Sequence, residues 1–153
     1  GAELLRKVYN DLHAEFGTRV SLEVFGWRAP GKGEPPPFTV HHGALTPAEV
    51  ARLMAEVDIV VEPSLYQGFG LPGLEAMACG AALASTTCLG VNEYAVHGEN
   101  ALVVPHGELG SAVRRLILEP GLRKQFQDAG PESAARFAWP VIVQKWAEFL
   151  GQL

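Results

Sequence analysis

Cysteine is scarce: the 153-residue sequence holds two, Cys79 and Cys88. With no further ligand-spaced residues beside them they exclude a disulfide framework and read as reduced, buried thiols. Basic runs are absent and the formal net charge is −5, which argues against nucleic acid or an anionic membrane surface as a partner. No apolar run approaches the ~20 residues of a membrane span and no signal-peptide pattern opens the chain, so a cytoplasmic location is expected. Repeats are missing, and Pro35-Pro36-Pro37 is the one low-complexity stretch. Ser64 and Ser85 lack a His at any recognisable nucleophile–base spacing. What remains is 48% hydrophobic content in a length that fits a single domain, 1–153, enough for a sizeable core.

The chain is organised around Ser64 to Gly80. An apolar run, Asp58 to Pro63, precedes it and a second, Ala81 to Ser85, follows it; each is short enough for a buried strand. Between them Gly68 and Gly70 flank Phe69, and Pro72 suits the first position of a helix, where its missing N–H costs nothing. Leu71, Leu74, Met77 and Ala78 recur at helical spacing and predict one face packed on a sheet. Gly80 ends the helix with a residue free to take positive φ. Such a strand–turn–helix–strand unit puts helix N–H groups at the carboxyl end of a parallel strand, where anions and phosphates are held. Glu75, one turn in, either reaches paired hydroxyls such as those of a ribose or complements the helix dipole. No Gly-x-Gly-x-x-Gly opens a strand–helix unit, which disfavours a nicotinamide dehydrogenase.

The block Gln67-Gly-Phe-Gly-Leu-Pro-Gly-Leu-Glu-Ala-Met-Ala-Cys-Gly80, followed by Gly90-Val-Asn-Glu93 and His97-Gly-Glu-Asn-Ala-Leu-Val-Val-Pro105, resembles the C-terminal domain of retaining GT-B glycosyltransferases. These are the family 4 type, glycosyl transferases group 1, which includes bacterial mannosyl-, glucosyl- and rhamnosyltransferases. The resemblance covers most of the chain. It implies a Rossmann-like three-layer α/β/α parallel sheet, the C-terminal half of a GT-B fold. By that likeness Gly68, Phe69, Gly70 and Leu71 approach a nucleotide diphosphate sugar through backbone N–H groups, Glu75 holds the ribose, and the Gly90 to Glu93 turn, with Asn92 and Glu93, nears phosphates or sugar. A loop merely held by hydrogen bonds of Asn92 and Glu93 is the competing reading. Neither cofactor nor metal is implied. The acceptor, a glycan or lipid-linked molecule, would bind a separate N-terminal domain and receive a hexose or deoxyhexose.

One position departs from the pattern. The family carries two glutamates seven residues apart; Glu75 matches the second, but Gln67 stands at the first, the catalytic position. An amide still hydrogen-bonds sugar hydroxyls, yet it has no charge to favour an oxocarbenium-like transition state. Altered catalysis, a non-catalytic nucleotide-sugar-binding module and a GT-B-related epimerase therefore stay open. Glu62, ahead of Pro63 at the strand end, does not replace it.

Elsewhere the signals are structural. Leu4, Leu5, Val8, Leu12 and Phe16 predict a helix over Glu3 to Phe16. In the family a strand and a basic phosphate-binding turn precede this helix; neither is in the sequence, so the expectation is a piece of a longer protein with a sheet short of its first, central strand. Arg19 to Gly26 alternates as a strand. Gly26 to Gly33 nearly spells a P-loop, but Gly33 stands where a hydroxyl is needed and the prolines forbid the helix. Phe38 to His42 is a further strand; His41 and His42 either face the ligand or pack locally, and nothing at metal-ligand spacing supports zinc. Thr46-Pro-Ala-Glu49 is a capping box before Val50, Leu53, Met54 and Val57. Asn100 to Pro105 is the last strand, Leu109 to Ile117 a helix, and Pro120, Pro131 and Pro140 each open another. The final helix, with Trp146, either packs as core together with Trp139 or presents an interface to another domain or chain.

Overall fold

The computed structural model describes residues 1–26 and 39–152. The near-P-loop and the proline run, apart from Gly26, lie outside the described residues. Strands form where apolar runs are short and bounded by turn residues. β1 (Leu22–Val24) pairs in parallel with β2 (Thr39–His41), Leu22 opposite Thr39. β3 (Ile59–Glu62), β4 (Ala82–Thr86) and β5 (Ala101–Val104) make a second parallel sheet in the order β3-β4-β5. Ile59 lies opposite Ala82, and Leu83 opposite Ala101. Among the described residues the strands form these two sheets, with no ladder joining β1 to β3, in keeping with the sheet short of a central strand that the sequence predicts.

β4 fixes the layers. All five of its residues are buried, and successive side chains point to opposite faces. Ala82 and Ala84 join Val8, Leu12 and Phe16 of α1 (Ala2–Phe16) and Leu109 and Leu116 of α4 (Leu109–Leu118) in one core. Leu83 joins Leu74 and Met77 of α3 (Leu71–Ala78) in a second core on the other face. α5 (Pro120–Ala135) contributes Phe126 to the first core and Ala134 to the second. The result is the α/β/α sandwich of a doubly wound parallel fold.

Local chemistry sets the helix ends. α2 (Pro47–Glu56) carries the expected box: the Glu49 N–H donates to Thr46 Oγ1 at 3.4 Å and the Thr46 N–H to the Glu49 carboxylate at 2.7 Å. α3 starts on Leu71 with Pro72 in its first turn, and Gly80 follows it at φ +82°. Its buried face is Gly73, Leu74, Ala76 and Met77, while Leu71 and Ala78 are exposed. The helix packs against both β4 and α5, which turns the buried stripe away from the one predicted by spacing.

Two further expectations are corrected. Pro131 sits inside α5 and does not begin a helix. A proline there removes one intrahelical bond and costs ~3 kcal/mol in an isolated helix; anchoring of Phe126 and Ala134 in the two cores carries the helix through. α6 (Trp139–Leu150) buries none of its residues, and Trp139 is 80% and Trp146 60% exposed, so neither is a core residue. Among the described residues no helix is long and apolar enough to cross a membrane.

Candidate functional site

Two loops meet at the carboxyl edge of the β3–β4–β5 sheet. The first, residues 63–70, leads from β3 into α3. The second, residues 87–93, leaves β4 and ends in a 3-10 turn, Gly90–Glu93. They are zipped together by backbone: the Gln67 N–H donates to the Cys88 carbonyl at 3.1 Å, and the Gly90 N–H to the Gln67 carbonyl at 3.2 Å. Thr86 Oγ1 donates to the Ser64 carbonyl, tying the first loop to the end of β4.

The zipper needs unusual backbone. Leu89 takes φ +69° and ψ −75° while the Gly90 N–H bonds the Cys88 carbonyl at 3.0 Å. This is a γ-turn with positive φ, a strained form for a side-chain-bearing residue, costing of order 1–3 kcal/mol. Strain of this kind concentrates where surrounding structure over-determines it, as at ligand sites. Gly90 lies so close to the first loop that a methyl group on it would come within 2.5 Å of the Gly68 carbonyl oxygen and run into the Phe69 Cα.

Gly70 is the hinge between loop and helix. It caps α3 in the left-handed region, φ +88° and ψ +52°. Tyr94, directly after the second loop and fully buried, donates its hydroxyl to the Gly70 carbonyl at 2.6 Å. The Phe69 ring turns inward, 5.5 Å from the Tyr94 ring and 5.4 Å from that of Phe137. Phe69 therefore anchors the loop through its ring and leaves its backbone at the site. Asn100 supports the same corner, donating to the Tyr94 carbonyl at 3.1 Å and accepting the Val96 N–H at 2.7 Å.

The predicted polar residues fall around this corner. Gln67 is half-buried, with its side-chain oxygen 3.8 Å from the Cys88 thiol. Gly68 is exposed, as are Leu71, Glu75, Asn92 and Glu93. The loop pairing brings Gln67, Gly68 and Phe69 together with Gly90; no described hydrogen bond joins Glu75 to Asn92 or Glu93. Glu62 is buried at the end of β3, where its carboxylate accepts the Ser64 hydroxyl at 2.6 Å. His41 and His42 bond locally: His41 Nδ1 accepts the Gly43 N–H at 3.0 Å, and His42 Nε2 lies 2.7 Å from the Glu23 carboxylate. Tyr94 and Cys88 are the residues that spacing alone does not single out. Their one signal is that they bracket the Gly90 to Glu93 turn.

Burial pushes the Tyr94 phenol above its ordinary value of 10.0, helped by the nearby charges of Cys88 and Glu62. The unfolded chain ionises first on the alkaline side. The stability tied to Tyr94 is thus complete below pH ~10 and is lost as pH rises toward the folded value. Tyr94→Phe is expected to cost about 1 kcal/mol at neutral pH, the net worth of one hydrogen bond, and to decline less steeply from pH ~10 to pH ~12. Tyr9, also raised by burial, retains part of the slope. Thermal melts across that range check this; parallel declines for both proteins contradict it.

A parallel α/β/α sandwich with a glycine turn at its carboxyl edge defines a class, the Rossmann-like folds. The family model for glycosyl transferases group 1 matches residues 4–119, and the chain belongs to that family. It is 32% identical over 98 residues to an uncharacterised glycosyltransferase of Methanocaldococcus jannaschii, a match covering 62% of this chain and 28% of that protein. It is also 32% identical over 96 residues to the D-inositol 3-phosphate glycosyltransferase of Corynebacterium jeikeium, covering 61% of this chain and 23% of that one. The chain thus spans about a quarter of these relatives. Among solved structures, Anabaena HepE in complex with UDP and glucose superposes with a TM-score of 0.84 at 22% identity, over all of this chain and 45% of that one.

Proposed function

We propose that this chain is the donor-binding domain of a retaining glycosyltransferase that takes a nucleotide diphosphate sugar and transfers a hexose or deoxyhexose to a glycan or lipid-linked acceptor held by a separate N-terminal domain. The observation that carries the reading is the zipped pair of loops at the carboxyl edge, where ligands of open α/β sheets bind. The start of α3 points backbone N–H groups and a positive dipole end at the place a diphosphate would occupy. Glu75 accepts from ribose hydroxyls, Gln67 exchanges hydrogen bonds with sugar hydroxyls, and Asn92 and Glu93 close the far wall. The solved complexes of HepE with UDP and with UDP-glucose support the ligand class. The reading invokes neither metal nor cofactor.

Chemistry follows from what this corner offers. Gln67 is uncharged, so it cannot attack the anomeric carbon or remove a proton. It positions the sugar, and the acceptor hydroxyl attacks the face from which the diphosphate leaves, the leaving oxygen taking the acceptor proton. The charge that builds on the leaving group is met by the helix start.

A thermal-shift panel of nucleoside diphosphates and their sugars tests the reading. One base family is expected to raise the melting temperature, with the sugar-bearing form adding to the shift. If no nucleotide stabilises the chain, the donor reading fails and an interaction module is the better account. Binding with no turnover in the longer protein, restored by Gln67→Glu, assigns the glutamine to attenuated chemistry.

A further inference from the structure

Cys88 is completely buried, and its thiol has two oxygens within reach. Ser85 Oγ lies 4.0 Å from the sulfur, but the Ser85 hydroxyl already donates to the Thr86 carbonyl at 2.9 Å. With that proton committed, Ser85 cannot donate to the sulfur, and the thiol keeps its own proton for an acceptor. Gln67 Oε1 is the nearer one, at 3.8 Å, and the thiol donates to it. A thiol is a weak donor, so this contact orients a side chain only where the surroundings already confine it.

The surroundings do confine it. The Gln67 backbone is bonded on both sides, its N–H to the Cys88 carbonyl and its carbonyl from the Gly90 N–H, so the side chain leaves a fixed point. Gly70 makes the room: a Cβ there would fall 2.7 Å from Gln67 Oε1 and 2.8 Å from the Tyr94 hydroxyl. The Tyr94 proton goes to the Gly70 carbonyl, so that hydroxyl does not compete with the thiol for the amide oxygen. The oxygen end of the amide therefore lies inside the corner. Among the described residues the nitrogen end, Gln67 Nε2, makes no hydrogen bond and is not sealed from solvent.

We infer that Cys88 is a positioning residue for the donor sugar: its thiol fixes the Gln67 amide with the oxygen inward and the N–H groups outward, so that Gln67 meets the sugar as a hydrogen-bond donor. What the amide meets rests on the donor-site reading; its orientation does not. The consequence is a polarity. A glutamate at this position would offer a charged acceptor and select a sugar hydroxyl that donates. Gln67 held by Cys88 offers two N–H groups and selects a sugar oxygen that accepts. An amide that could swing either end outward would lose that preference.

The test compares the wild type with Cys88→Ala, Gln67→Ala and the double variant through two readouts. The first is the affinity for UDP-, GDP- or ADP-glucose relative to the bare diphosphate, by calorimetric titration. A cavity that merely loosens the corner lowers both affinities together. Loss of orientation removes only what the sugar adds. The ratio is expected to fall at least ~threefold in Cys88→Ala and to be the same in the double variant as in Gln67→Ala. Cys88→Ser, whose hydroxyl still donates, is expected to recover part of it. The second readout needs no ligand: the Gln67 side-chain N–H signals of the ¹⁵N-labelled chain are expected to move toward those of exposed glutamines in Cys88→Ala. Equal losses for diphosphate and sugar nucleotide, or a further fall of the ratio in the double variant, overturn the role of Cys88. Unmoved Gln67 signals overturn the orientation. A wild type that binds none of these nucleotides sinks the donor reading and the sugar-facing role with it, while the second readout still decides how the amide is held.

Discussion

Gly90→Ala is expected to cost at least ~3 kcal/mol and to abolish nucleotide binding in whatever fraction stays folded. Adding one methyl to a packed interior costs ~1–3 kcal/mol when neighbouring side chains can give way. At Gly90 the obstacles are main-chain atoms, the Gly68 carbonyl oxygen 2.5 Å and its carbon 2.6 Å from the new Cβ, together with the Phe69 Cα. Main chain cannot change rotamer, so one loop must move off the other. Opening them breaks the Gln67–Cys88 and Gly90–Gln67 backbone bonds and withdraws the wall that positions Gly68 to Gly70. Tyr94→Phe serves as the comparison, because it weakens the same corner by about 1 kcal/mol without forcing the loops apart. Urea melts and a nucleotide titration read the two effects. Wild-type binding in Gly90→Ala would show that the apposed loops are not the site.

Glu75→Ala is expected to leave the fold intact and weaken nucleotide binding at least ~tenfold. Glu75 is exposed on α3 and its side chain makes no described hydrogen bond, so the fold loses nothing specific. A hydrogen bond to a charged acceptor contributes ~1.5–3 kcal/mol, and a ribose diol offers two donors to one carboxylate. The loss is expected for the nucleoside as much as for the nucleotide sugar, since it lies at the ribose. Glu75→Gln is expected to recover part of it, because the amide oxygen still accepts. Isothermal titration with the wild type and both variants measures this. Equal affinity for all three would remove Glu75 from the site and leave it a helix-surface acid.

Local punctuation made the central unit legible. Pro72 and Gly80 bracket α3 within two residues of where it starts and stops, and Thr46 with Glu49 marks α2, because caps act through bonds only three residues apart. Burial was less legible where tertiary contacts decide it. Leu71 fits the periodic stripe of α3, yet the helix packs on β4 and α5 and leaves that residue exposed. Pro131 has the local signature of a helix start, and anchoring at Phe126 and Ala134 overrides it. Trp139 and Trp146 read equally as core and as surface, since aromatic spacing says nothing about which neighbour is present.

The site divides the same way. Gly68, Gly70 and Glu75, all proposed for the site, come from one contiguous stretch. Tyr94 and Cys88 act on that stretch from 24 and 21 residues away, through the Gly70 carbonyl and the Gln67 side chain. Such contacts exist only once β4 and β3 are paired, and no spacing rule reaches them.

The central claim is that the zipped loops at the carboxyl edge of β3 and β4 hold a nucleotide sugar. Amide chemical-shift mapping of the ¹⁵N-labelled chain during titration with UDP and UDP-sugars tests it most directly. The account predicts saturable changes concentrated at Gln67 to Leu71, at Glu75 and at Gly90 to Glu93, with α5 unmoved. Shifts centred elsewhere, or none with any nucleoside diphosphate at about 1 mM, a concentration that reveals even weak binding, would contradict it.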